Sequence, residues 1–310
     1  MKQVTWIWLV VLTVWLDVSV AGVVNGFNLS GGLLPENEIH QGGPPRDGIP
    51  SLDDPKFIMA AADNFLKPDD RVLGIVYKGE TRAYPISILN WHEIVNDRIQ
   101  GDPVAITYCP LCGTGLAYRG EVDGKATHFG VSGLLYNSDV LLYDRETESL
   151  WSQILSKAVT GPMKGQLLKD LPVWHTSWKA WVKKHPKTKV LSTDTGFNRD
   201  YSRSPYAGYG DSKQVYFPVS ARSHAYHPKE RVLGVTIGDQ FKAYPFIELA
   251  RLKTNPLTDK FAGNQLTIDF DFENRDGTVT DQNGEVLSAI NGFWFAWYAF
   301  HPDTEIFKAK

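Results

Sequence analysis

The chain has 310 residues, 43% of them hydrophobic, with 10 Trp, 13 Tyr, 15 Phe and a formal net charge of -3. That length can bury a proper core as one large or two small domains, and its mixed charges, without a basic tract, argue against a nucleic-acid partner. Two cysteines are too few for a disulfide scaffold.

Lys2 precedes an apolar run of eleven residues, Trp6–Leu16, broken only by Thr13, and Ser19-Val20-Ala21 follows as a small-residue cleavage site. Residues 1–21 therefore read as an export signal, with retention as an anchor the alternative. The run is shorter than the roughly 20 apolar residues of a membrane span, and no second run of that length occurs. The mature chain is expected to be exported, periplasmic or associated with the cell envelope, without a transmembrane segment. Residues 22–55, rich in Gly and Pro, read as an extended arm.

Further on, the chain resembles itself. Arg71-Val-Leu-Gly-Ile-Val-Tyr-Lys-Gly-Glu-Thr-Arg-Ala-Tyr-Pro85 returns as Arg231-Val-Leu-Gly-Val-Thr-Ile-Gly-Asp-Gln-Phe-Lys-Ala-Tyr-Pro245. Trp178-Lys-Ala-Trp181, with His185-Pro186 after it, returns as Trp294-Phe-Ala-Trp297 with His301-Pro302. Two matches in the same order point to an internal duplication. The first unit spans 56–192, a connector 193–230, and a shorter second unit 231–310. Each unit opens on a hairpin, turning at Lys78-Gly79-Glu80 or Gly238-Asp239. A helix is expected over Ile86–Val95, since Pro suits a first helical turn. A strand (Val104–Tyr108 or Leu266–Phe270), a hairpin at Asp123-Gly124 or Asn283-Gly284 and the Trp-x-x-Trp helix complete the unit. The extra residues of the first unit fall within Val131–Val173. The expected fold is β-rich α+β, with two related units packed together and the second serving as scaffold.

The duplication sorts the candidate residues. Tyr84-Pro85 with Tyr244-Pro245, and His185 with His301, occur in both units and read as structural. With the units aligned 160 residues apart, Cys109 falls on Asp269, Cys112 on Phe272, His92 on Leu252 and Glu93 on Lys253. The chemistry is confined to the first unit.

Cys109-Pro-Leu-Cys112-Gly113 admits three readings. As a metal knuckle, its Gly lets the backbone curl while both sulfurs point to one ion. With only one such turn, the other ligands must be imidazole or carboxylate: His92 first, His128 second, Glu93 and Asp139 behind them. Thiolate-rich ligation suits copper(I) or zinc. As a redox pair it would need a helix N-terminus to stabilise the thiolate, and Gly113-Thr-Gly115 is poor helix material. The third reading is a local disulfide or two buried thiols. Asp139, Trp151 and Gln153, from the extra segment, are candidates to bind a substrate, an unknown small molecule or envelope component. There is no Gly-x-Ser-x-Gly elbow and no His-Glu-x-x-His motif.

His92-Glu-Ile-Val-Asn-Asp97, Tyr108-Cys-Pro-Leu-Cys-Gly113, Phe129-Gly-x-Ser-Gly133, Tyr143-Asp-Arg-x-Thr-x-Ser-Leu-Trp151-Ser-Gln153 and Arg82-Ala-Tyr-Pro85 together resemble the DUF3179 family of exported bacterial and archaeal proteins. The resemblance spans roughly residues 50–300. It supports export and a single site and implies no particular reaction. The leading expectation is an exported metal-binding protein, with oxidoreductase chemistry as one use of the site. The alternatives are a non-catalytic glycan- or peptide-binding module with a structural disulfide, and a thiol–disulfide oxidoreductase.

Overall fold

The computed structural model describes residues 22–309, so the expected export signal lies outside the described residues. Strand dominates at 40% against 12% helix, and the five larger sheets are arranged as a five-bladed β-propeller. This corrects the expected α+β fold of two packed units. The helices are too short to form a layer of their own: α1 (Ile86–His92), α2 (Trp178–Lys184) and α4 (Trp294–Phe300) have seven residues each and α3 (Phe246–Leu249) has four.

The self-similarity in the sequence is a similarity between blades. Arg71–Tyr77 and Glu80–Pro85 form an antiparallel hairpin in which Val72 faces Pro85, and Arg231–Ile237 with Gln240–Pro245 repeats it with Val232 facing Pro245. Each hairpin anchors its own blade. Ile94–Ile99, Asp102–Cys109 and Thr114–Arg119 build a second kind, repeated by Leu257–Phe261, Asn264–Asp271 and Asp276–Thr280. The fifth blade comes from the expected extra segment. Its strands Phe129–Tyr136, Asp139–Asp144, Leu150–Ser152 and Lys157–Ala158 are joined by Ile39–Gln41 from the N-terminal arm.

Hairpin registers also correct the alignment. Cys109 pairs with Thr114 across its hairpin, as Asp271 pairs with Asp276 across the matching one. Cys109 therefore takes the place of Asp271, and Cys112 that of Asn274. An ungapped comparison places both two residues too early, because it cannot see where the intervening loop changes length.

The helix expected over Ile86–Val95 stops at His92. Glu93 leaves it with φ 57°, and Ile94 starts the next strand. The shared His residues are structural, as expected, and cap helices: the backbone N–H of His185 and of His301 each donates to the carbonyl of the Trp four residues earlier, and the rings lie 4.2 Å and 4.3 Å from those indoles.

Those same tryptophans cover glycines. A Cβ on Gly74 would sit 2.4 Å from the Trp181 ring, and one on Gly234 would sit 2.1 Å from the Trp297 ring. Both indoles are buried and close-packed, so neither can withdraw. Gly74→Ala and Gly234→Ala are each expected to destabilise by about 1–3 kcal/mol, measured as a lowered urea midpoint at unchanged slope.

Candidate functional site

Cys109 ends the strand Asp102–Cys109, and Cys112 lies in the four-residue turn, Pro110–Gly113, that leads into Thr114–Arg119. The Cys109 carbonyl accepts from the Gly113 N–H at 2.8 Å, and Gly113, at φ 63°, takes the left-handed conformation that lets the chain re-enter the sheet. No helix follows. The turn is held from the other half of the chain. The Cys112 carbonyl accepts from Phe293 N–H at 2.8 Å and the Gly113 carbonyl accepts from Arg231 Nη1 at 3.0 Å.

Opposite the turn stands the tip of the Phe129–Tyr136 and Asp139–Asp144 hairpin. Asn137 and Ser138 both have positive φ (51° and 64°), the geometry of a tight two-residue hairpin turn. Asn137 is locked from both ends: its amide donates to the Ala299 carbonyl at 3.1 Å and its oxygen accepts from Ser220 N–H at 2.7 Å. This tip aims the Ser138 carbonyl at the sulfurs, 3.7 Å from Cys109 Sγ and 3.3 Å from Cys112 Sγ. It also delivers Asp139, whose ligand oxygen and both sulfurs lie within 4.8 Å of one another, all buried. The cysteines are free thiols.

The electrostatics are those of crowded acids in a buried site. Burial pushes the Asp139 carboxyl up to about 7. One of its oxygens accepts from Ile154 N–H at 3.1 Å, while Oδ1 has no partner. Burial raises both thiols; Cys112 is pushed further by the neighbouring Cys109 and then by Asp139, while at Cys109 the hydrogen bond with Cys112 offsets part of the rise and the Asp139 charge adds to it. Glu93 leaves its helix at a strained φ and anchors the strand before Cys109, its carbonyl accepting from Tyr108 N–H at 2.7 Å. Burial, and then the charge of Asp139, push its carboxyl up to about 8. Tyr209, from the connector, is 2% exposed and its hydroxyl has no partner. Lys229 lies 3.8 Å from the centre of that ring and donates to the Gln214 carbonyl at 2.6 Å.

The other candidate residues lie elsewhere or serve the walls. His92 is buried but turned away, with Nδ1 2.8 Å from the Pro50 carbonyl and Nε2 2.7 Å from the Tyr201 hydroxyl. It is not one of the residues whose ligand atoms gather at the thiols. His128 is exposed beside Glu146 at 3.3 Å. Trp151 is fully buried, its N–H donating to Asp144 at 2.8 Å, so it offers no stacking surface. Gln153 is a brace, accepting from Thr114 at 2.7 Å and donating to Thr107 at 2.9 Å. The sequence reading missed Tyr209 and Lys229, which sit in a connector without periodicity. The one available signal was the density of Tyr across 201–216.

A family model described as a protein of unknown function, DUF3179, matches residues 46–285. The chain belongs to the DUF3179 family. Neither curated proteins nor solved structures give a match. Among the described residues, no helix is long and apolar enough to cross a membrane.

The raised carboxyls set a sign for pH dependence without added metal. Above the unfolded value near 4, the unfolded chain has released these protons, while the folded chain holds that of Asp139 to about 7 and that of Glu93 to about 8. Stability should fall as pH rises from 4 to 8. Asp139→Asn should flatten part of that slope, read from urea midpoints at pH 5, 6.5 and 8 in chelator.

Proposed function

We propose that this protein binds a zinc ion through Cys109, Cys112 and Asp139. The observation that carries the reading is the convergence of two free thiols and a carboxylate in one buried volume, with Asp139 Oδ1 lacking any partner. A tetrahedral ion with sulfurs at about 2.3 Å holds them roughly 3.8 Å apart, compatible with ligand atoms that all lie within 4.8 Å. Zinc is favoured over copper(I) on charge and softness. A divalent ion with two thiolates and a carboxylate leaves one negative charge, which the Lys229 ammonium can offset. Copper(I) would leave two and gains little from a carboxylate donor.

Three protein ligands leave a fourth position for water or a substrate donor, the arrangement of catalytic rather than structural zinc sites. Thiol–disulfide exchange is the weaker reading. Reactive thiols sit in exposed, electropositive surroundings that lower their pKa, whereas these are buried and raised. Export, supported by Lys2 and the Trp6–Leu16 run, fits the same proposal, since outside the cytosol paired free thiols need something to keep them from oxidising.

Protein purified without chelator or affinity tag should carry about one zinc per chain by elemental analysis. Cys109→Ser, Cys112→Ser and Asp139→Asn should each weaken zinc at least ten-fold, in competition with a chromophoric chelator. His92→Ala should retain it. Because the thiols start protonated, binding should release protons, so calorimetric enthalpies should vary with the buffer's ionisation heat. Metal-free protein with its thiols paired would overturn the proposal.

A further inference from the structure

The connector that supplies Tyr209 and Lys229 also lines a cleft. Lys213, Arg222, His224 and His227 surround a cleft of about 600 Å³, floored by Val215, Val219, Tyr226 and Phe295. That volume is within the range of small-molecule pockets, roughly 300–1,000 Å³. No aspartate or glutamate lines it among the described residues, although acidic residues outnumber basic ones in the chain, 35 to 32. Glu248, reached from the edge by the Tyr226 hydroxyl, is already engaged by Arg251 and Lys308.

His227 adds a directional feature. Its Nδ1 accepts from the Lys229 N–H at 3.1 Å, so the neutral ring carries its proton on Nε2 and remains a donor. Behind the floor, Lys229 lies 4.9 Å from the Phe295 ring centre. The cleft therefore combines two cationic side chains and two imidazoles with apolar and aromatic lining, a composition that suits an oriented anion.

We propose that this cleft binds a small organic oxyanion, a carboxylate or phosphate on an apolar or aromatic body. The charged end meets Lys213, Arg222 and the two histidines, and the body lies on Tyr226 and Phe295. Phe295 also belongs to the large apolar cluster that contains Cys109 and Cys112. The inference stands on the cleft alone and does not require a metal.

The test is calorimetric titration of the purified protein with 1-naphthyl phosphate, 1-naphthoate and 1-naphthylmethylamine. One or both anions should bind one per chain, at least ten-fold tighter than the amine, and weaken as salt screens the rim. Whichever anion binds tighter identifies the headgroup. The double variant Lys213→Glu/Arg222→Glu should lose anion affinity at least ten-fold with an unchanged melting temperature, since both side chains are exposed. Titration of the wild-type protein in chelator should give the same anion affinity, which separates this site from the zinc proposal. Equal binding of amine and anions, or full affinity in the double variant, would overturn the inference.

Discussion

Four acids, Cys109, Cys112, Asp139 and Glu93, share one buried region, and none of them forms an ion pair within the described residues. Neutral, such a group is tolerable. Ionised, it costs several kcal/mol per charge unless a cation enters. That imbalance is the constraint around which the surrounding structure makes sense. It explains why every member titrates high, why Asp139 has an oxygen without a partner, and why two thiols stand together unpaired.

The propeller meets this constraint by bringing separate pieces of chain to one place. The cysteine turn closes one blade and the Asn137-Ser138 tip closes another. Arg231 and Phe293, from a third blade, hold the carbonyls of the turn. The connector adds Tyr209 and Lys229 as a cover. Each piece is fixed by backbone hydrogen bonds or by a side chain such as Asn137 that bonds at both ends, so the sulfurs and the carboxylate are held before any ion arrives. Such preorganisation reduces the ordering cost of binding. It also gives the second half of the chain a direct part in shaping the site.

Much of this was legible in the sequence, and the failures have physical causes. Cys109-Pro-Leu-Cys112-Gly113 announced itself by rarity and by a Gly where the backbone must turn left-handed. The hairpins at 71–85 and 231–245 were readable from alternation and turn residues. Asp139 was named, but ranked below His92, because imidazole is the commoner partner for thiolates and a sequence cannot show that His92 is already bonded to Pro50 and Tyr201. The Trp-x-x-Trp helices were placed correctly, but the α+β fold class was not, because these helices are only two turns long and cover Gly74 and Gly234 instead of forming a layer. The fifth blade looked like an insertion because its strands, buried on both faces, show no alternation. Tyr209 sits in irregular chain and could be assigned only through contacts distant in sequence.

X-ray absorption at the zinc edge, on protein purified under mild conditions, tests the central claim most directly. The account predicts a first shell of two sulfurs at about 2.3 Å and oxygen donors at about 2.0–2.2 Å, with no imidazole signature. A shell of nitrogen and oxygen alone, or one showing bound imidazole, would contradict it.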